Sequence, residues 1–218
     1  LASLGIYVFT WNFIKEVLIE DSKDNSSDHD FGKNIIPKIL STEKVYAYPF
    51  EGYWQDVGTI QSYWETNLEL VRPIPPFNLH DPNWRFYTRS EEMNPAYISE
   101  NGEVRNSIIS EGCEIYGSVE NSVISQGAFI DERAIVKNSV IMTKVEIGKN
   151  VVIEDAIIAE NTIIKDGCKI GIGHFAESKY DKKVYNSHIT VVGMDSIVEE
   201  NCKIVSANTV IDSGGYLI

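Results

Sequence analysis

Aliphatic residues recur along the second half of this chain with a period that no helix supplies. The string "NSIIS" begins at residue 106, "NSVIS" at 121, "NSVIM" at 138 and "DAIIA" at 155. Aligned on their aliphatics, Ile124, Ile130 and Val136 form one set, Ile141, Ile147 and Ile153 a second, and Ile158, Ile164 and Ile170 a third. Members of a set stand six residues apart, and equivalent members of successive sets stand seventeen apart. A step of six is three times the strand period and does not fit a helix of about 3.6 residues per turn, so each short flat face sends one residue inward. Three faces per turn predict a triangular parallel β-helix. Gly112, Gly127, Gly148, Gly167 and Gly171 fall near its corners, where positive φ is expected. The six-residue step resumes through Val192, Val198, Ile204 and Val210 after an interruption at 174–190, which reads as a loop thrown out of the solenoid.

The first seventy residues carry a different pattern. Residues 4–10 (LGIYVFT) and 44–50 (KVYAYPF) alternate like strands. Residues 12–20 (NFIKEVLIE) read as a helix with Asn12 as its cap and Ile14, Val17 and Leu18 on one face. A polar loop at 21–30 follows, helical spacing returns at 31–40 through Ile36, Ile39 and Leu40, and a further helix-like run begins after Gly58. Strand, helix, loop, helix, strand, helix is an α/β segment, too small to close a doubly wound domain, so its sheet is expected to continue upstream of residue 1. "RPIPPFNLHDPNW", from residue 72, is proline-rich and ends the helix. The expected organisation is part of an α/β domain over 1–71, a linker over 72–102 and a β-helix over 103–218.

Composition narrows the function classes. The 218 residues, 43% of them hydrophobic, can bury a core, and a formal net charge of −13 argues against a binder of nucleic-acid phosphates. No apolar run reaches the length of a membrane span, and residues 1–20 do not read as a charged n-region with a cleavage site, so a protein that is neither exported nor membrane-spanning is expected. Cys113, Cys168 and Cys202 lie far apart without a CxxC pair, so they read as reduced structural residues of a cytoplasmic protein rather than zinc ligands or a disulfide framework.

Candidate chemistry centres on "EGYWQDVGTIQSYWETN", residues 51–67. Asp56 sits just ahead of a helix start. Its local reading is a carboxylate that accepts backbone N–H groups at that turn, and its richer reading is a metal ligand. Taken with "LASLGIYVF" and "SSDHDFGKNIIPKI", and followed by hexapeptide repeats, "YWQDVGTIQSYWETNLEL" resembles the bacterial glucose-1-phosphate adenylyltransferase (ADP-glucose pyrophosphorylase) family over nearly the whole chain. The fold this implies is an α/β nucleotidyltransferase-like partial domain followed by a left-handed parallel β-helix.

The resemblance implies a residue assignment as well. Asp56 matches one of two carboxylates that hold the catalytic Mg²⁺, and Trp54, Ser3, Asp30 and Phe31 match positions that shape the glucose 1-phosphate pocket. Lys33 follows in the same motif; a solvated first-turn lysine is its alternative role. ATP would be the second substrate, ADP-glucose the product and glycogen synthesis the pathway. A homotetramer, or a heterotetramer with a paralogous subunit, would be the assembly. The Gly-rich nucleotide loop, the other metal Asp and a Glu-Lys-Pro motif of the family are expected upstream of residue 1, so this stretch alone is expected to be inert. Two other readings compete: a regulatory paralogue that has lost catalysis, and a hexapeptide-repeat acyltransferase using His174 or His188 as general base. Arg85, Arg89, Lys179, Lys182 and Lys183 are cations that could meet an anion, or form an ordinary solvated surface.

Overall fold

A computed structural model describes residues 3–88, 91–171 and 189–204, together with the backbone of strands at 210–211 and 216–217. The chain divides into two compact units, Leu1–Gly52 and Tyr53–Ile218.

In the second unit the inward aliphatics of the repeat stack directly on one another. The first sheet orders Tyr97–Ile98, Glu114–Ile115, Phe129–Ile130, Glu146–Ile147, Ile163–Ile164, Ile197–Val198 and Tyr216–Leu217, all parallel. Glu103–Arg105, Ser118–Glu120, Ile135–Lys137, Val152–Glu154, Lys169–Ile170 and Lys203–Ile204 make the second sheet. The third contains Ile108–Ile109, Val123–Ile124, Val140–Ile141, Ala156–Ile158, Thr190–Val192 and Val210–Ile211. Successive strands in sequence belong to successive sheets, which is the path of a three-faced parallel β-helix. Every member of the three predicted aliphatic sets is buried in one continuous core, as are Val192, Val198 and Ile204 of the resumed set. Burying each such side chain contributes about 1.5–3 kcal/mol, so the column of stacked branched residues is the main source of cohesion. The side chain of Val210 and residues 174–188 of the interruption lie outside the described residues, and the last position of the expected interruption, Thr190, instead opens a strand of the third sheet.

The corners depart from the expectation. Gly112, Gly127, Gly167 and Gly171 have positive φ, but Gly148 does not. Gly148 is needed for space instead: a Cβ there would stand 2.4 Å from Oδ1 of Asp166, the oxygen that accepts from the Lys149 N–H. Most left-handed corners are not glycine at all. One corner stacks Asn106, Asn121, Asn138 and Asp155, with φ between 46° and 49°. Asparagine and aspartate tolerate this conformation because their short polar side chains bond locally. Here Asn106 Nδ2 donates to Asn121 Oδ1 at 2.6 Å.

The helix α3 (Ile60–Glu69) also belongs to this unit. Its Ile60, Tyr63 and Trp64 cover Val140, Ile157 and Ile189 on the outer surface of the third sheet. The indole of Trp64 donates to the carbonyl of Asn138 at 2.7 Å, which fixes the helix to the asparagine corner. Between α3 and Tyr97 the described residues form no helix or strand. The stretch ends in a strap along another corner, with Gly112 N–H donating to Asn94 O at 2.7 Å and Lys144 Nζ 2.7 Å from Glu91 Oε2.

The first unit is held by helices. The helix α1 spans Trp11–Asp21 and buries Ile14, with Val17 and Leu18 half-buried beside it. Asn12 lies inside the helix rather than at its cap; the cap position is Thr10, whose side chain makes no capping bond. A π-helical turn, Phe31–Ile35, leads into the short α2, Ile36–Ile39. Widening the turn rotates the apolar face by one residue, so Ile35 and Ile39 are buried while Leu40 is 56% exposed. Lys38 Nζ reaches Glu20 Oε1 at 3.1 Å, joining α2 to α1.

Neither stretch expected as a strand here forms one. Ile6 is 77% and Val8 96% exposed, and Tyr46 and Tyr48 are likewise in the open. Alternation supplies the side chains of a strand, but the strand itself exists only through a ladder partner. Among the described residues none pairs with 4–10 or 44–50.

Candidate functional site

Each expected site residue has a defined local role. In the first unit, Asp30 caps the π-helical turn: its Oδ1 accepts from the Lys33 N–H at 2.7 Å, as its position before a helix suggests. The ring of Phe31 stacks on Tyr7 at 5.7 Å and on Phe9 at 5.8 Å. Ser3 joins the same group, its Oγ 2.9 Å from the Tyr7 hydroxyl and accepting from the Gly5 N–H at 3.1 Å. Lys33 extends its ammonium toward solvent, 3.6 Å from the exposed Asp28. Ser3 and Phe31 therefore share one cluster with Tyr7 and Phe9, Asp30 adjoins it along the chain, and the Lys33 side chain points out to solvent. The sequence reading omitted Tyr7 and Phe9; their spacing of two, which places both on one face of an extended segment, was the available signal.

The residue ahead of Asp30 is unusual. His29 has φ of 56°, and its Nδ1 lies 2.8 Å from Oδ2 of Asp21, the buried last residue of α1. The hydrogen bond with His29, and after it that from the Ser27 hydroxyl, hold the Asp21 carboxyl below its usual range.

In the second unit Asp56 is exposed and turns back on its own chain, Oδ1 accepting from the Gly58 N–H at 2.9 Å. That matches its local reading, but the helix cap is Thr59, which exchanges bonds with Ser62 in a capping box. Asp56 thus keeps one carboxylate oxygen for a ligand. Trp54, two residues before it, is also exposed. Among the described residues no three His, Cys, Asp or Glu side chains converge as a metal centre. A single aspartate nonetheless fits Mg²⁺, a hard cation that takes one or two carboxylates and completes its shell with water and substrate phosphates.

Other candidates contribute less. Arg85 lies over the ring of Tyr87 at 5.7 Å, while Arg89, Lys179, Lys182, Lys183, His174 and His188 fall outside the described residues. An open groove of about 950 Å³ runs beside the strap, lined by Met93, Tyr97, Glu114 and Lys144, and includes none of the expected site residues. No described helix is long and apolar enough to cross a membrane.

Residues 1–72 match the nucleotidyl transferase family model, and residues 93–192 match that of the GlmU-like C-terminal hexapeptide. The chain is therefore a nucleotidyl transferase segment joined to a hexapeptide-repeat β-helix. Its high-identity homologues are glucose-1-phosphate adenylyltransferases. The protein of that name from Fervidobacterium nodosum is 92% identical over the whole chain, that from Thermosipho africanus 64%, and that from Thermotoga maritima 56% over 98% of the chain. The chain spans 55%, 55% and 51% of these relatives, about half the length of each.

Proposed function

We propose that the polypeptide carrying this chain is a cytoplasmic glucose-1-phosphate adenylyltransferase, which forms ADP-glucose and pyrophosphate from ATP and glucose 1-phosphate for glycogen synthesis. The observation that carries this reading is the 92% identity to an enzyme of that name along the whole chain. The geometry of the first unit supports it. Ser3 and Asp30 offer hydrogen-bonding groups for sugar hydroxyls, the aromatic trio offers a flat apolar face, and the Lys33 ammonium offers a cation for the phosphate.

The reaction needs no general base, because the attacking phosphate oxygen of the sugar is ionised at neutral pH. Its difficulty is that two anions must meet while charge moves to the departing pyrophosphate. Mg²⁺, when bound, supplies charge stabilisation at the phosphates. Asp56 would hold it through the oxygen not engaged by Gly58. Lys33 and the hydrogen-bonding groups around Phe31 would hold the sugar phosphate in place, and positioning of this kind lowers the entropic part of the barrier. Trp54, two residues ahead of Asp56, would help shape the glucose 1-phosphate pocket. In this reading the chain by itself is inert, and the active form is a tetramer of identical or paralogous subunits.

The test is a coupled pyrophosphate-release assay on the polypeptide at the length of its relatives, with ATP, Mg²⁺ and glucose 1-phosphate. Asp56→Asn is expected to lose on the order of 10²-fold or more in turnover, as removal of an electrostatic anchor commonly costs. A parent protein inactive on every nucleotide and sugar phosphate tried would overturn catalysis and favour a regulatory paralogue.

A further inference from the structure

Asp21 is a buried carboxylate to which the proposed reaction gives no role. It is 5% exposed, and both of its oxygens are engaged by the loop that follows it. Oδ1 accepts from Ser27 Oγ and Oδ2 faces His29 Nδ1, each at 2.8 Å. The Ser27 hydroxyl in turn accepts from the His29 N–H at 3.1 Å. Two of these three bonds end on His29, the one residue of the loop in the left-handed region, which immediately precedes Asp30, and the third ties Ser27 to the same carboxylate. Asp30 then sets the turn that carries Phe31 and Lys33, through Lys33 N–H to its Oδ1 and Asn34 N–H to its carbonyl at 2.9 Å.

We propose that Asp21 is a positioning residue for the sugar-phosphate loop, acting through Ser27 and His29 to aim Asp30, Phe31 and Lys33 at the ligand. The proposal rests on the functional reading above. A left-handed histidine is strained, and such a conformation persists only where its surroundings over-determine it. The Asp21 carboxylate is that surrounding. Burying a carboxylate is unfavourable unless its bonds are satisfied, so the clamp forms only when Ser27 and His29 are both in place. The other charges nearby are Lys38, the Glu20 with which it pairs at 3.1 Å, and Asp24, which also feels His29 and Lys38.

Asp21→Ala, in the full-length polypeptide, is expected to raise KM for glucose 1-phosphate about tenfold or more while leaving KM for ATP within about twofold, the signature of a misplaced ligand contact. Asp21→Asn keeps one acceptor for Ser27 and offers an amide donor to a neutral imidazole, so it should restore most of that affinity. Hydrogen exchange at the Lys33 amide, measured without any substrate, should be faster in Asp21→Ala. A lower Tm with both KM values unchanged would make Asp21 merely structural and overturn the proposal. If Asp21→Ala does not fold, His29→Asn, which tolerates the left-handed turn but breaks the clamp, is expected to raise the same KM, and no change would count equally against it. A wild-type protein with no turnover on sugar phosphates would overturn the functional reading alone. The exchange measurement then decides the clamp: faster exchange at Lys33 supports it and unchanged protection overturns it.

Discussion

Ser122 and Ser139 show how much one hydroxyl can do in a stacked fold. Ser139 Oγ donates to the carbonyl of Lys137 at 2.6 Å and accepts from the Ala156 N–H of the next coil at 3.1 Å. Ser122 repeats the arrangement one coil earlier, bonding Glu120 O and the Ser139 N–H. Both side chains are fully buried. The Asn-Ser pair that opens three of the four repeats is therefore a corner followed by a bridge between coils, and the fourth opens with Asp155 and Ala156. Ser139→Ala is expected to cost about 1–3 kcal/mol, because it strands a buried Ala156 N–H without a partner. Urea unfolding measures the loss, and an unchanged midpoint would show that the bridge carries no weight. The pair was visible in the sequence, yet only its aliphatic neighbours were interpretable there. The asparagines recur in step with the aliphatics, but a recurring polar residue does not by itself declare a positive φ.

At the level of elements, α3 is joined to the solenoid by an apolar patch and one indole bond. Trp64→Phe should cost about 1 kcal/mol, the net worth of the bond, and Trp64→Ala roughly 3 kcal/mol, as the packing is lost as well. Thermal unfolding of both variants would separate the two contributions; equal losses would mean that the bond is the whole attachment. Legibility differed sharply between the elements. The six-residue step revealed the nine large aliphatics of the core from Ile124 to Ile170, because each stacks on its own equivalent in the next coil, but it passed over the smaller core residues Ala128, Ala134, Val145, Val151, Ala156 and Cys168. The pattern at 4–10 was read with the same rule and led to a strand that does not form, since alternation says nothing about whether a partner strand is at hand. At 31–40 the expected face holds at Ile39 but not at Leu40, because the π-helical turn shifts the phase so that Ile35 is buried in its place and Ile36 only half-buried. Motif likeness is what nominates Ser3, Asp30, Phe31, Lys33, Trp54 and Asp56 as the candidate site, since no period or composition singles them out. Asp21 and His29 stayed hidden, since their pairing depends on a fold of the loop that no period encodes.

Across the whole molecule, burial governs the reactivity of the thiols. Cys113, Cys168 and Cys202 are all free and buried, and desolvation pushes each thiol above its ordinary range. A thiol reagent at pH 8 is expected to modify none of them in the native protein and all three in denaturant, so labelling reports opening of the β-helix. Rapid labelling without denaturant would show that the coils open locally. The strict stacking of the coils has a consequence for how such a chain can change over generations. Asn121 stands against Asn138 and Ser122 against Ser139, each seventeen positions on. An insertion or deletion of one residue within a strand throws its side chains onto the wrong face. A length change at a corner is absorbed, since Asn106 meets Asn121 after fifteen residues and Asn121 meets Asn138 after seventeen, and loss or duplication of a whole coil rejoins the chain at equivalent points. Lineages carrying this architecture can thus grow or shrink by tandem copying of short gene segments, and differ in length by complete coils while keeping the same cross-section.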